Sequence, residues 1–163
     1  MKSDSIKIQP EVQKTYFAVV KNSVGAGLFK NFYAKVGGKS KDIMANGELS
    51  CAFFVSSICR MFDLTKKVHG TVDNTLKDLE KFGWSRVRKP QPGDILIWEE
   101  LKFGKNDCHK HIGFYLGDEK AISNSTNKKH PVLHHSTFGI KNGKPVRKIE
   151  VILNYDFKKS DKK

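Results

Sequence analysis

The spacing of hydrophobic and polar positions changes along the chain, from helical periods before Trp84 to short alternating or apolar runs after it. Val12, Tyr16, Phe17, Val19 and Val20 form a helical stripe between Pro10 and Val20, interrupted beyond by Gly25 and Gly27. Leu28 to Val36 reads as a further short helix ended by Gly37-Gly38, followed by a loop over Lys39 to Leu49. Cys51 to Phe62 is apolar nearly all round, which predicts a helix buried at the centre of the fold. Ser50 stands where an N-cap would, so Cys51 falls in the first turn. Asp73 to Phe82 is a further predicted helix, stopped by Gly83.

Lys89-Pro90-Gln91-Pro92-Gly93-Asp94 is a strong turn signal, and Ile95 to Trp98 after it reads as a buried strand. His111 to Leu116 and Lys120 to Ser125 predict a hairpin folded at Gly117-Asp118-Glu119. Val132 to His135 and Val146 to Leu153 supply two more strands. Helices first and then strands joined by short loops predict an α+β fold, with the Cys51 helix packed on a central antiparallel sheet of about five strands. A single domain is expected over residues 1–157, with a flexible Lys-rich tail over 158–163.

Charge and composition narrow the partners. The formal charge of +13 predicts attraction to a polyanion such as nucleic acid, anionic lipid or an acidic cell-wall polymer. Arginine, whose bidentate fork reads bases, occurs only at Arg60, Arg86, Arg88 and Arg147, and the lysines are scattered. That pattern favours a solubilising surface over a specific nucleic-acid partner. No apolar run approaches the roughly 20 residues of a membrane helix, and Met1-Lys2-Ser3-Asp4-Ser5 lacks the apolar core of a signal peptide.

Three cysteines, Cys51, Cys59 and Cys108, make no disulfide framework and contain no CxxC pair for zinc. Cys59 lies inside the apolar run and reads as a core residue, and Cys108 falls in a polar loop. Cys51 is the candidate nucleophile, because a helix N-terminus lowers a thiol pKa and offers free N–H groups to an oxyanion. His111 opens a strand after a polar stretch, from where it can reach the N-terminus of a helix on the same sheet and act as general base. His109 would share its face if the strand began earlier. A buried inert thiol is the plain alternative for Cys51. His130, His134 and His135 suggest a metal cluster at first sight, but neighbours on a strand point to opposite faces, so exposed or packing histidines are expected and no metal.

The segments Ser50-Cys51-Ala52-Phe53-Phe54-Val55, Gln91-Pro92-Gly93-Asp94 and His111-Ile112-Gly113-Phe114-Tyr115-Leu116-Gly117 follow one another in an order that resembles the NlpC-type cysteine peptidases of bacterial cell walls, with a papain-like fold. The first segment departs from that family's Asp-Cys-Ser-Gly-Phe-Val, and the other two match closely. The resemblance implies hydrolysis of an amide through a thioester on Cys51, in peptidoglycan stem peptides or at the amide joining them to the glycan. It also implies a cell-envelope location, no cofactor, and a monomer whose basic surface would suit an anionic wall.

The family orients its imidazole with a third polar residue on the next strand, here within Ala121-Ile122-Ser123-Asn124-Ser125. An even hairpin loop pairing Gly117 with Lys120 puts Asn124 on the His111 face, and an odd loop puts Ser123 there. Asn124 is the choice on chemistry, since its amide oxygen can accept an imidazole N–H. Tyr33 is a candidate hydroxyl for the oxyanion, with a core role as the alternative. Two rival functions remain: an acyltransferase of the same fold, resembling the lecithin retinol family, and a non-catalytic polyanion-binding module.

Overall fold

The computed structural model describes residues 6–102 and 108–158. Three α-helices, α1 (Val12–Asn22), α2 (Cys51–Met61) and α3 (Val72–Phe82), precede most of the strands. The strands are β1 (Tyr33–Val36), β2 (Lys39–Asp42), β3 (Ser85–Arg86), β4 (Ile95–Lys102), β5 (Cys108–Gly117), β6 (Lys120–Ser125), β7 (His130–His135), β8 (Ile140–Lys141), β9 (Lys144–Pro145) and β10 (Ile149–Asn154). The molecule is α+β, with a six-stranded antiparallel sheet in the order β3-β10-β4-β5-β6-β7. The sixth strand, beyond the five expected, is short β3, recruited to the edge by Leu153 and Asn154 of β10. Of the expected tail over 158–163, only Lys158 lies within the described residues.

The helix expected over Leu28 to Val36 does not form. Gly27–Phe29 makes a single 3-10 turn, and β1 then pairs with β2 around Gly37 and Gly38. Both glycines have positive φ, 57° and 79°, the two left-handed positions of a tight hairpin turn. The Gly-Gly pair therefore reverses a hairpin rather than ending a helix. Beyond it, Asp42 accepts the backbone N–H groups of Phe32, Met44 and Asn46, tying down the segment that leads to α2.

The helices cover one face of the sheet. Phe54, Val55 and Ile58 of α2 pack with Tyr16 and Val20 of α1, Leu79 of α3, and Ile95, Ile97, Ile112, Phe114, Ile122 and Leu153 of the sheet. The opposite face carries a smaller cluster around Leu96, Trp98 and Ala121. The Pro-Gly-Asp turn sets the start of β4. Gly93 takes φ 97° and its carbonyl accepts the Tyr16 hydroxyl at 2.8 Å. Asp94 accepts the N–H of Gln91 and the side-chain amide of Asn154. This motif is a structural clamp between α1, β4 and β10, and it does not line the cleft described next.

Candidate active site

A cleft of about 1000 Å³ opens where the N-terminus of α2 meets β5 and β6. Cys51, His111, Ser123, Asn124, His134, Phe138 and Arg147 all line it. The β5–β6 ladder ends at the pair Gly113–Ser123, although β6 continues to Ser125 and β5 begins at Cys108. The two strands part there, and the first turn of α2 faces the parting. The backbone N–H groups of Ala52, Ile112 and Cys51 itself act on the Cys51 thiol.

The reason Cys51 starts a helix here is less simple than a capped terminus. Ser50 occupies the N-cap position, yet its hydroxyl makes no capping bond and is buried without a partner among the described residues. Nor does the helix terminus dominate the thiol's acidity. Burial pushes the Cys51 thiol above its usual value, against the opposing pull of the N–H groups and of Arg147. Burial likewise holds the His111 imidazole down at about 3, with Arg147 and His134 adding to the effect. Cys51 and His111 line the same cleft, each favoured in its neutral form, and the expected low-pKa thiolate is not what this environment favours.

His111 projects onto the sheet face opposite the helices, together with Gly113 and Trp98. Its ring lies 5.5 Å from Trp98 and 5.8 Å from Phe138. Gly113 is required by this arrangement, because a Cβ there would come within 2.4 Å of the Ile122 carbonyl and 2.7 Å of Ser123 Cβ. The absent side chain leaves the space through which Ser123 reaches the imidazole.

Ser123, not Asn124, contacts His111, with Oγ 2.8 Å from Nε2. The turn pairs Gly117 with Lys120 as the even loop requires, but a bulge at Leu116 follows, so Tyr115 pairs with Ala121 and Gly113 with Ser123. One extra residue exchanges the two faces of β6. Asn124 then points the other way, is buried, and donates its amide to the Gly47 carbonyl at 2.7 Å.

Behind Ser123 stands His134, its Nε2 2.8 Å from the same hydroxyl. The protons along this chain follow from donor and acceptor counting. His134 Nδ1 lies 2.7 Å from the His135 carbonyl, so it carries the proton and Nε2 is an acceptor. Ser123 must therefore donate to His134 and accept from His111 Nε2–H. His111 Nδ1 is left unprotonated. The His134 ring is stacked on Phe138 at 4.2 Å, which fixes its plane.

The sequence predicts an exposed or packing role for His134, since its neighbour His135 faces the other way. Its signal was the alternation itself: Val132 pairs with Ser123 and His134 with Ala121, so His134 shares the Ser123 face. Arg147 also enters the site unannounced, from the segment between β9 and β10. Tyr33 is exposed on β1 and does not line the cleft, so it serves neither the oxyanion nor the core. Cys59 is buried in the core, whereas Cys108 is exposed at the start of β5 rather than in a loop. His109 also lies on β5, which begins earlier than expected, and lines the cleft. Among the described residues no group of three His, Cys, Asp or Glu side chains is arranged to hold a metal, and no helix is long and apolar enough to cross a membrane. No family model matches the sequence, and no curated protein is significantly similar to it.

Proposed function

We propose that the chain is a papain-like cysteine hydrolase that cleaves an amide bond through a thioester on Cys51. The observation that carries this reading is the hydrogen-bonded series His111–Ser123–His134 ending in the cleft that Cys51 also lines. Cys51 Sγ attacks the carbonyl carbon while His111 Nδ1 takes the thiol proton, so the neutral resting pair becomes charged only as the bond forms. The imidazolium keeps its Nε2–H donated to Ser123 Oγ, whose own O–H stays donated to His134 Nε2. Backbone N–H groups at the first turn of α2 meet the oxyanion. His111 then protonates the leaving amine, and water, deprotonated by the same imidazole, releases the acyl group.

The resemblance to NlpC-type peptidases in the Gln91–Asp94 and His111–Gly117 segments makes peptidoglycan stem peptides, or the amide joining them to the glycan, the proposed substrates. Digestion of purified sacculi, with products identified by mass, tests this directly. The wild-type protein should release muropeptide fragments and Cys51→Ala should release none; equal release by both would overturn the assignment.

One observation favours a second reading. Met44, Leu49, Leu101, Val132 and Val146 give the cleft an apolar wall, which would suit an acyl chain and an acyltransferase with the same nucleophile. An acyl-Cys51 adduct formed from lipid but not from peptide donors would select it.

A further inference from the structure

Among the described residues that line the cleft, Arg147 is the one charged side chain that is buried. It is 7% exposed, and a buried cation is stable only when its charge is met. Its Nε and Nη2 donate to the Glu99 carbonyl at 3.0 and 2.8 Å, and Nη2 also donates to the His109 carbonyl at 2.8 Å. The register shift between Trp98 and Leu101 in the β4–β5 ladder lies where these carbonyls are taken up. The guanidinium carbon lies over the Phe138 ring, 5.9 Å from the ring centroid. All of these partners are neutral, and none of the bonds uses Nη1.

Carboxylates do occur around the cleft, and Glu99 acts on Arg147 electrostatically, but none forms an ion pair with it among the described residues. Glu99 Oε1 accepts the Lys148 N–H, Glu48 pairs with Lys129, and Asp73 pairs with Lys110. Glu100 lines the cleft as well, without an ion pair to Arg147 among the described residues. Arg147 and Cys51 line the same cleft and act electrostatically on one another.

We infer that Arg147 is a specificity-determining residue that receives a carboxylate carried by the acyl donor beside the scissile carbonyl. The guanidinium is held by backbone carbonyls through Nε and Nη2, Nη1 is unused by those bonds, and the side chain lines the cleft. A substrate carboxylate there would give the guanidinium a direct anionic partner and bring the neighbouring carbonyl to Cys51. The assignment rests on the reading of Cys51 as a nucleophile open to the cleft.

Two small alkylating agents test it without requiring turnover. Iodoacetate carries the carboxylate and iodoacetamide is its neutral counterpart. Each forms a carbon–sulfur bond at Cys51 and expels iodide, and the thiol proton passes to His111. Labelling is read at Cys51 by peptide mass, in a Cys108→Ser background, with glutathione as the free-thiol reference. The wild-type ratio of iodoacetate to iodoacetamide rates should exceed that of glutathione by about 10-fold or more. Arg147→Gln should return it to the glutathione value, and Arg147→Lys should keep part of it. A wild-type ratio equal to that of glutathione would overturn the inference. So would a raised ratio that persists in Arg147→Gln, since it would then come from the overall charge of the protein. Should Arg147→Gln not fold, the wild-type and Arg147→Lys ratios decide. If the preference is found but sacculi are not cleaved, the hydrolase reading fails while the carboxylate site stands.

Discussion

At the scale of single residues, Ser123, His134 and Asn124 separate a positioning role from a structural one. Ser123→Ala breaks the link between the two imidazoles and frees His111 to rotate. The expected result is a fall in kcat on the order of 10-fold or more with little change in KM, smaller than the roughly 10²–10⁴ carried by the base itself. His134→Ala should act in the same direction, because Ser123 then loses the acceptor that orients its proton. A rise in KM at constant kcat in either variant would refute the positioning role. Asn124→Ala should instead leave activity per folded molecule intact and lower stability by about 1–3 kcal/mol, since the buried Gly47 carbonyl loses its donor. Thermal unfolding beside kinetics on the three variants makes the comparison.

Elements fix which of these residues meet. The β5–β6 turn is made of Asp118 and Glu119, with φ of 48° and 56°, a left-handed pair in which neither residue is glycine. Glu119→Gly should therefore stabilise the protein by about 0.5–1 kcal/mol, raising Tm by about 2–4 °C, without altering the site. No rise, or a loss of activity, would show that Glu119 contributes something beyond its backbone. The bulge a few residues away has the larger functional consequence, because it decides that Ser123 rather than Asn124 faces His111. Turn length was legible from Gly117-Asp118-Glu119. The bulge was not, since it answers to packing on both faces of β5 and leaves no residue-type signal of its own. The β1–β2 hairpin was missed for a related reason: Tyr33 to Val36 is too short for its periodicity to separate strand from helix, and Gly37-Gly38 suits either ending.

The whole molecule sets the electrical state of the site. The His111 imidazole is held at about 3 by burial, against an ordinary value near 6.5. Between those values the unfolded chain binds the proton and the folded one does not. The resulting contribution to stability is present above pH 6.5 and is lost progressively as pH falls towards 3. His134 is shifted the same way, first by burial. Urea denaturation at pH 7 and pH 4 should show a large loss for the wild type and a smaller one for His111→Gln. Equal losses in both would mean that His111 does not report its burial through stability.

By itself, the sequence determined three helices followed by the five main strands of the sheet, the buried Cys51 helix, the Pro-Gly-Asp turn and the two residues proposed to react. These are local properties: periodicity over ten residues, turn chemistry, and a thiol beside a serine at a helix start. Tertiary structure decided the rest. A bulge chose Ser123, alternation along β7 put His134 behind it, and a bend after β9 delivered Arg147 from 96 positions beyond Cys51. Burial then reversed the expected acidity of Cys51, because removing water from a thiol raises its pKa against the pull of a helix terminus. Register, long-range approach and desolvation depend on what lies across the sheet, and no window of the chain contains that information.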